Sequence, residues 1–421
     1  MDPPAAAAPQ MPIPGVIMPS QPPSMRPFAW AWAIYTVLIL VLVTCVWIPS
    51  GLYKKMDFRS MYAAGTLART DPAHLYDLSR QKQVQDTLVE RRDLSIPFGH
   101  LALDAVLFIP FSLLSYRNAY VLVVCCNAIL VALCFLAARP VFSWTIPLWQ
   151  PRPGFIFFTF MPTTIALAQG QDSLLLLLIL CLTFRLLGRS HIFWAGLVLA
   201  GMLLKPHLAL LVALFVAFRY GWRFVAGFLA GAAAVVALCL PFWLHGGLRA
   251  WLSIISGLSL ASGHNQAQEA AMGIYSWAMP NLRGAFLLLL GHLVSSRVLF
   301  VVVCLASLAV LGWGLAQARH LSHDNAFALA IVVTALVSYN LEPHDLVILL
   351  LPMVLMGPVV SQALARCRDV ILGLPIALLI FAPADPPGAG FTLLSAPLIA
   401  AAWLLSRTAA LPGEALPSAS D

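Results

Sequence analysis

Long blocks of Leu, Val, Ala and Phe recur along this chain, separated by short polar breaks. Runs of about 17–25 apolar residues span a hydrocarbon core of roughly 30 Å as helices, the spanning element expected where no water satisfies the backbone. The pattern predicts spans at 28–52, 119–138, 154–168, 173–188, 191–204, 206–219, 223–244, 298–318, 325–340, 346–362, 370–383 and 390–406. Segments 97–116 and 281–294 are apolar too, but Asp104 and Pro110 interrupt the first and Gly291–His292 the second. Spanning with either inverts the charge pattern of the loops, so both are read as re-entrant or interfacial helices on the outer side. Transmembrane β-strands would be shorter, alternating segments, unlike these unbroken blocks. The expected fold is an all-α polytopic integral membrane protein with about twelve transmembrane helices and both ends on one side.

Composition agrees: 61% of residues are hydrophobic and 10% charged, and a mean hydropathy of +0.89 lies far from soluble domains. Residues 1–27 are rich in Pro and Ala and are read as a disordered cytoplasmic tail. Segment 28–52 is too long for a signal-peptide core and has no small-residue cleavage site at Cys45, Val46 and Trp47, so it is expected to remain as the first helix. One transmembrane catalytic domain over 28–407 follows, with outer loops at 53–118 and 245–297, and then a cytoplasmic tail at 408–421.

Charge placement orients the bundle. Placing the tail inside makes Arg139, Arg152, Arg185, Arg189, Arg219, Arg223, Arg319, Arg366, Arg368 and Arg407 cytoplasmic, in short loops with few acids. Asp57, Asp71, Asp77, Asp86, Glu90, Asp93, Asp172, Glu269, Glu342, Asp345 and Asp385 then fall outside. A bacterial-type plasma membrane with the chemistry on its extracytoplasmic face is the expected location. Topology accounts for the net charge of +7, so nothing points to nucleic acid. None of the eight cysteines lies in an outer loop, and no disulfide framework or zinc spacing is expected.

The loop from Tyr53 to His100 is the largest polar segment. After Asp77, a candidate N-cap, Leu78, Gln81, Val84 and Leu88 share one helical face while Lys82 and Asp86 pair on the other, which predicts a helix lying on the membrane surface. Four outer positions resist a packing explanation: Asp57, the Gln169-Gly170-Gln171-Asp172 junction, Lys205-Pro206, and Ser338 through His344-Asp345. An ionisable group at membrane depth is costly and a functional candidate by default. The bland alternatives are a lysine snorkelling from a helix end, an interfacial histidine and a polar turn.

At these residues the chain resembles glycosyltransferase family 87, the polyprenyl-phosphate-mannose-dependent mannosyltransferases of the GT-C superfamily. The resemblance is carried by Asp57-Phe58 with Tyr62-Ala63-Ala64, Leu75-Tyr76-Asp77, Pro97-Phe98 leading to Pro110 and Ala119-Tyr120, Gly170-Gln171, Gly196 to Lys205-Pro206, and Ser338 followed by His344. It departs where Tyr339 and Glu342-Pro343 stand in place of a proline after the serine and an aromatic before the histidine, and where Ile96-Pro97 has one proline of two. The resemblance implies a GT-C-like bundle that moves a hexose, mannose in the family, from a polyprenyl-phosphate donor to an extracytoplasmic glycolipid or glycan acceptor with inversion. It implies Asp57 as general base, Lys205, Arg59 and His344 as donor-phosphate ligands, and Tyr62, Gln171 and Asp345 near sugar or acceptor. Lys55 is a weaker cation for the phosphate. No metal is expected, since an inverting displacement needs none and the outer acids show no compact DxD pair.

Two other classes fit parts of the pattern. A transporter or flippase also has about twelve helices, but such proteins are built from internal repeats, which this chain lacks. A polysaccharide ligase or polymerase carries its polar chemistry in late loops, for which 245–280, with His264-Asn265-Gln266 and Glu269, is the candidate here.

Overall fold

The computed structural model describes residues 34, 37–38, 41–49, 57–88, 95–139, 157, 160–260, 276–355 and 392–407. Among them the protein is helical, without a strand. In chain order the helices are α1 Phe58–Thr70, α2 Leu78–Leu88, α3 Ala102–Phe108, α4 Tyr116–Ala138, α5 Met161–Gln169, α6 Ser173–Gly188, α7 Ile192–Leu199, α8 Pro206–Tyr220, α9 Trp222–Trp243, α10 Gly247–Leu260, α11 Leu282–Leu290, α12 Ser296–Ala318, α13 His323–Val337, α14 Leu350–Leu355 and α15 Ser395–Ser406. Three of them, α4, α9 and α12, are long and apolar enough to cross a membrane, and shorter apolar helices accompany them.

Helices α6, α8 and α9 coincide with predicted segments to within about two residues, whereas other predicted spans break up. Segment 191–204 is α7 continued by a 3-10 turn, Ala200–Leu204. The polar link 338–342 ends the predicted helix 325–340 at Val337, and the next begins early as a 3-10 turn, Pro343–Leu349. Segment 97–116 forms two short pieces, α3 and the 3-10 turn Phe111–Leu113. The predicted span 370–383, both predicted tails, Lys55, Cys367 and the 264–269 cluster lie outside the described residues, as does much of 28–52, of which the π-helical turn Val43–Trp47 is seen.

Packing divides the helices by role. Every residue of α13 from Ala326 to Val337 is buried, as expected of a helix that is apolar all round and central. Helix α12 instead leaves Val301, Leu305 and Leu308 exposed, an apolar surface suited to lipid. Helices α7 and α9 meet almost backbone to backbone. A Cβ on Gly227 would fall 1.9 Å from Phe193 O, and one on Gly196 would fall 2.2 Å from Phe224 O. Gly227 and Gly231 are four residues apart on one face of α9, the small-residue spacing by which membrane helices approach closely.

Direction follows from helix ends. Helix α8 starts beside Lys205 and ends at Arg219, whose guanidinium donates to Ala318 O at 2.8 Å, and Arg319 stacks on Phe218, 4.0 Å from its centroid. Arg219 and Arg319, predicted to share a side, thus meet at one end of α8, with Lys205 some fifteen residues, about 22 Å, away at the other.

The first loop packs differently from its predicted pattern. Asp77 does cap α2, accepting from Ser79 N at 2.8 Å and Arg80 N at 3.2 Å, and Lys82 Nζ meets Asp86 at 3.0 Å. The buried face, however, carries Gln81 and Gln85, each 1% exposed, while Leu78 is 48% exposed. Gln81 donates to Leu75 O at 2.8 Å and accepts from Phe98 N at 2.8 Å. Gln85 donates to Ile96 O at 2.8 Å and accepts from Ile96 N at 3.0 Å. These amides supply partners to an extended segment that has no strand beside it. The inner face of α2 thus clamps the 96–98 backbone.

Candidate functional site

Three breaks between helices converge with the start of α1. The first is the turn from α5 into α6. Gly170 adopts a left-handed conformation, φ 67°, that closes α5 and that glycine takes without strain. A Cβ there would also press on the Phe58 ring at 3.1 Å. Tyr120 donates to Ala168 O at 2.6 Å and Asn127 to Gln171 O at 3.2 Å, fixing the turn that carries Gln171 and Asp172. The second break is at Lys205. Pro206 disfavours helical backbone in the residue before it, and Lys205 accordingly has φ −123°, ψ 85°. The third is the link before the Pro343–Leu349 turn, where Glu342 and Asp345 form a reciprocal capping box.

These breaks bring charges together inside the protein. Lys205 Nζ lies 2.5 Å from Asp345 Oδ1 and 3.3 Å from Asp172 Oδ1. It also contacts Ser173 Oγ at 3.1 Å and His344 Nε2 at 3.2 Å. Ser173 in turn donates to Asp345 at 2.8 Å. All five side chains are buried. The ammonium thus lies between two carboxyl groups, one of which Ser173 also hydrogen-bonds.

Beside it opens a cavity of about 270 Å³. Asp57, Gln171, Lys205, His344 and Asp345 line it, with Glu342 next to them. His100, His207, Trp251 and Arg283 line it as well. Gln171 Nε2 donates to Asp57 Oδ2 at 2.9 Å, so the carboxylate's position is set by the turn at Gly170. Burial holds the Asp57 carboxyl above its ordinary range, with the Gln171 bond and the Lys205 charge pulling the other way. The Glu342 carboxyl is pushed up to about 8, chiefly by burial and next by repulsion from Asp57 and Asp345. Because the Asp57 charge contributes to that rise, Asp57 gives up its proton before Glu342 does.

Of the residues proposed from sequence, Asp57, Lys205, His344, Gln171 and Asp345 share this cavity, while Arg59 and Tyr62 are not among its lining residues. Tyr62 turns its hydroxyl to Leu114 O at 2.8 Å and packs edge-on against Tyr116. Arg59 is buried along α1. Asp172, Glu342, His100 and Arg283, which the sequence reading did not assign to the site, belong to it or adjoin it. Their signal was an ionisable group at the edge of an apolar segment. Arg283 donates to Tyr339 O at 3.1 Å and Ser276 Oγ at 2.8 Å, and its guanidinium stacks 4.3 Å from the Tyr339 centroid.

Two groups of described residues place metal-ligating atoms within 4.8 Å of one another: Asp57, Glu342 and His344, and His100, Asp104 and Asp172. In each, the Lys205 ammonium already stands against one member, His344 or Asp172, and supplies part of the positive charge a metal would bring.

A half-buried, pre-positioned carboxylate beside cationic side chains in a membrane-type bundle suits transfer of a group to a hydroxyl. Comparison with known proteins sharpens that reading. No curated protein and no solved structure matches the chain. The model of Glycosyltransferase family 87 matches residues 103–343, more than half of it. The matched region holds Gln171, Asp172, Lys205 and Glu342; His344 lies next to its end and Asp57 well before its start, and both join the site through the fold. This helical membrane-type protein belongs to glycosyltransferase family 87.

Proposed function

We propose that this glycosyltransferase moves a hexose, mannose in the first instance, from a polyprenyl-phosphate donor to a glycolipid or glycan hydroxyl, inverting the anomeric centre. The observation that carries the reading is Asp57, held by Gln171 in the wall of a cavity that also presents Lys205, His344 and Glu342. The acceptor oxygen attacks the anomeric carbon as the bond from that carbon to the phosphate oxygen breaks. The acceptor's proton passes to Asp57, and the bonding electron pair leaves with the polyprenyl phosphate. Burial raises the basicity of Asp57, and general-base assistance is worth about 10²–10⁴ in rate.

Negative charge grows on the phosphate as it leaves and has to be met by fixed donors. His344 and the polar edge of Lys205 face the cavity, although Lys205 already balances Asp172 and Asp345. Gln171 and Asp345 are placed to hydrogen-bond sugar or acceptor hydroxyls. The step balances without a bound metal. Arg219 and Arg319 meet at the end of α8 remote from Lys205. Read with the positive-inside rule, this supports a site on the extracytoplasmic face of a plasma membrane, within a bundle of about twelve helices whose termini are cytoplasmic.

The test is transfer of radiolabelled mannose from synthetic polyprenyl-phosphate-mannose to membrane glycolipids by purified protein. Wild type is expected to transfer, and Asp57→Asn to lose about 10²–10⁴ of the rate with its thermal transition retained. An inactive wild type across a panel of prenyl-phosphate sugars, together with movement of labelled lipid across proteoliposomes, would overturn the proposal.

A further inference from the structure

The segment from Ile96 to His100 is held from four sides. Gln85 clamps Ile96 and Gln81 clamps Phe98. Trp251 of α10 donates to Gly99 O at 3.1 Å, and Tyr76 donates to His100 O at 3.1 Å. The His100 ring stacks on Phe98 with centroids 5.5 Å apart and planes 21° apart. Supports of this kind fix the orientation of a side chain whose position matters, and the side chain they present to the cavity is His100.

Behind His100, one turn into α3, lies Asp104. His100 Nδ1 stands 3.0 Å from Asp104 Oδ2, and Asp104 is 0% exposed. Neither carboxyl oxygen of Asp104 has a hydrogen bond of good geometry, so its contact with His100 is one of charge. A carboxylate so enclosed requires a positive charge beside it. Burial alone disfavours a charged ring, but the contact and charge of Asp104 outweigh it, so His100 titrates above the ordinary histidine range. With Nδ1 engaged by Asp104, Nε2–H is the donor the ring retains. The ring stands at a cavity whose lysine already lies against Asp172 and Asp345.

We propose that His100, held at the cavity wall against Asp104, binds the phosphate of the lipid-linked donor, and that Asp104 acts as its positioning residue. The assignment rests on the transferase reading and names the side chain that meets the anion. It gives a role to Asp104, which in the sequence only interrupts an apolar segment, and to His100, which there only ends the polar loop. Asp172, Lys205, Asp57, Glu342, His207 and His344 are the other charged or titratable groups that bear on the ring. Of these, Lys205 opposes its charge and the carboxylates favour it.

Kinetics against donor concentration from pH 6 to 9 test the proposal, with polyprenyl-phosphate-mannose as substrate and wild type, His100→Gln, His100→Lys and Asp104→Asn compared. A charge-assisted hydrogen bond lost at the phosphate is expected to raise donor KM about 10- to 100-fold in His100→Gln. In wild type KM is low while the ring is charged and climbs as pH rises through its titration. His100→Lys keeps a low KM and loses that climb, and Asp104→Asn moves the climb to lower pH. A structural role would move none of these profiles. Binding of polyprenyl phosphate alone, followed by tryptophan fluorescence, separates the two readings. If wild type and His100→Gln bind it equally, this inference fails and the transferase reading stands; if wild type binds no prenyl phosphate, both fail. Loss of binding in EDTA with recovery in Mg²⁺ or Mn²⁺ would also overturn it, assigning His100, Asp104 and Asp172 to a divalent cation instead.

Discussion

Two contacts deep in this bundle are built on opposite principles. Where α7 crosses α9 there is almost no side chain: Gly196, Gly227 and Gly231 let backbones touch, and attraction comes from dispersion over a close fit. Where the α5–α6 turn, the start of α8 and the Pro343–Leu349 turn meet, side chains carry formal charge, and Lys205 is held between Asp172 and Asp345. The first contact is insensitive to pH and intolerant of volume. The second depends on the balance of charge and on the geometry that holds it. A scaffold of the first kind keeps helix ends apart by a fixed amount, which is what lets the second keep several ionisable groups at hydrogen-bond distances around a cavity.

The largest effect that sharpens the contrast is on the charged side. Asp57→Asn should lower turnover about 10²–10⁴-fold while the fold stays, because Asp57 accepts one bond from Gln171 that the amide oxygen also accepts. Lys205→Met is the harsher change for stability. It leaves Asp172 and Asp345 buried without their ammonium, and breaking a buried pair costs about 3–5 kcal/mol. Thermal unfolding in detergent should show a large drop, and adding Asp345→Asn to Lys205→Met should recover part of it by removing one uncompensated charge. If the double variant is no more stable than the single, charge balance is not what Lys205 contributes. The glycine seam comes next. Gly227→Val places a branched side chain where a single Cβ already lies 1.9 Å from Phe193 O. The helices must part, at about 1–3 kcal/mol, lowering the unfolding temperature, whereas the pH dependence of turnover by the folded fraction should be unchanged. A shifted pH profile in Gly227→Val would erase the distinction between the two contacts.

How much of this could be read in the chain follows the same division. Helix segments 173–188 and 206–219 were legible because apolar length and the polar residues at their ends are local facts. So were the Asp77 cap and the Lys82–Asp86 pair, three or four residues apart. Asp57, Gln171 and Lys205 stood out as polar groups at the edges of apolar blocks. Their meeting did not, since Asp57 and Gln171 are 114 residues apart and Lys205 and Asp345 140. Gln85 escaped notice because periodicity reads glutamine as a solvent-facing residue, and Gln81, though placed on the face of Val84, showed no partner in the sequence; only the segment 96–98, with backbone groups to satisfy, gives both reason to be buried. Tyr62 shows the reverse. It sits one turn from Asp57 and invites a role in the site, yet its hydroxyl is drawn away to Leu114 O.

The smallest expected effect concerns Glu342, where the contrast is one of charge at constant volume. Between the titration of Asp57 and about pH 8, Asp57 is ionised and Glu342 protonated, so the wall carries one base without a second negative charge facing the leaving phosphate. As pH rises past about 8 Glu342 ionises, and the repulsion it adds opposes the charge developing on that phosphate. At saturating donor, kcat of wild type should therefore fall above pH 8. In Glu342→Gln, which keeps shape and neutrality, it should stay level, and below pH 7 the two should differ by less than about tenfold. The acid limb, set by Asp57, should be common to both, because Glu342 is already neutral there and exerts no field that its removal could relieve. A variant whose acid limb also moves would mean instead that the two carboxyls share one proton and titrate as a pair, which would make Glu342 a partner of the base.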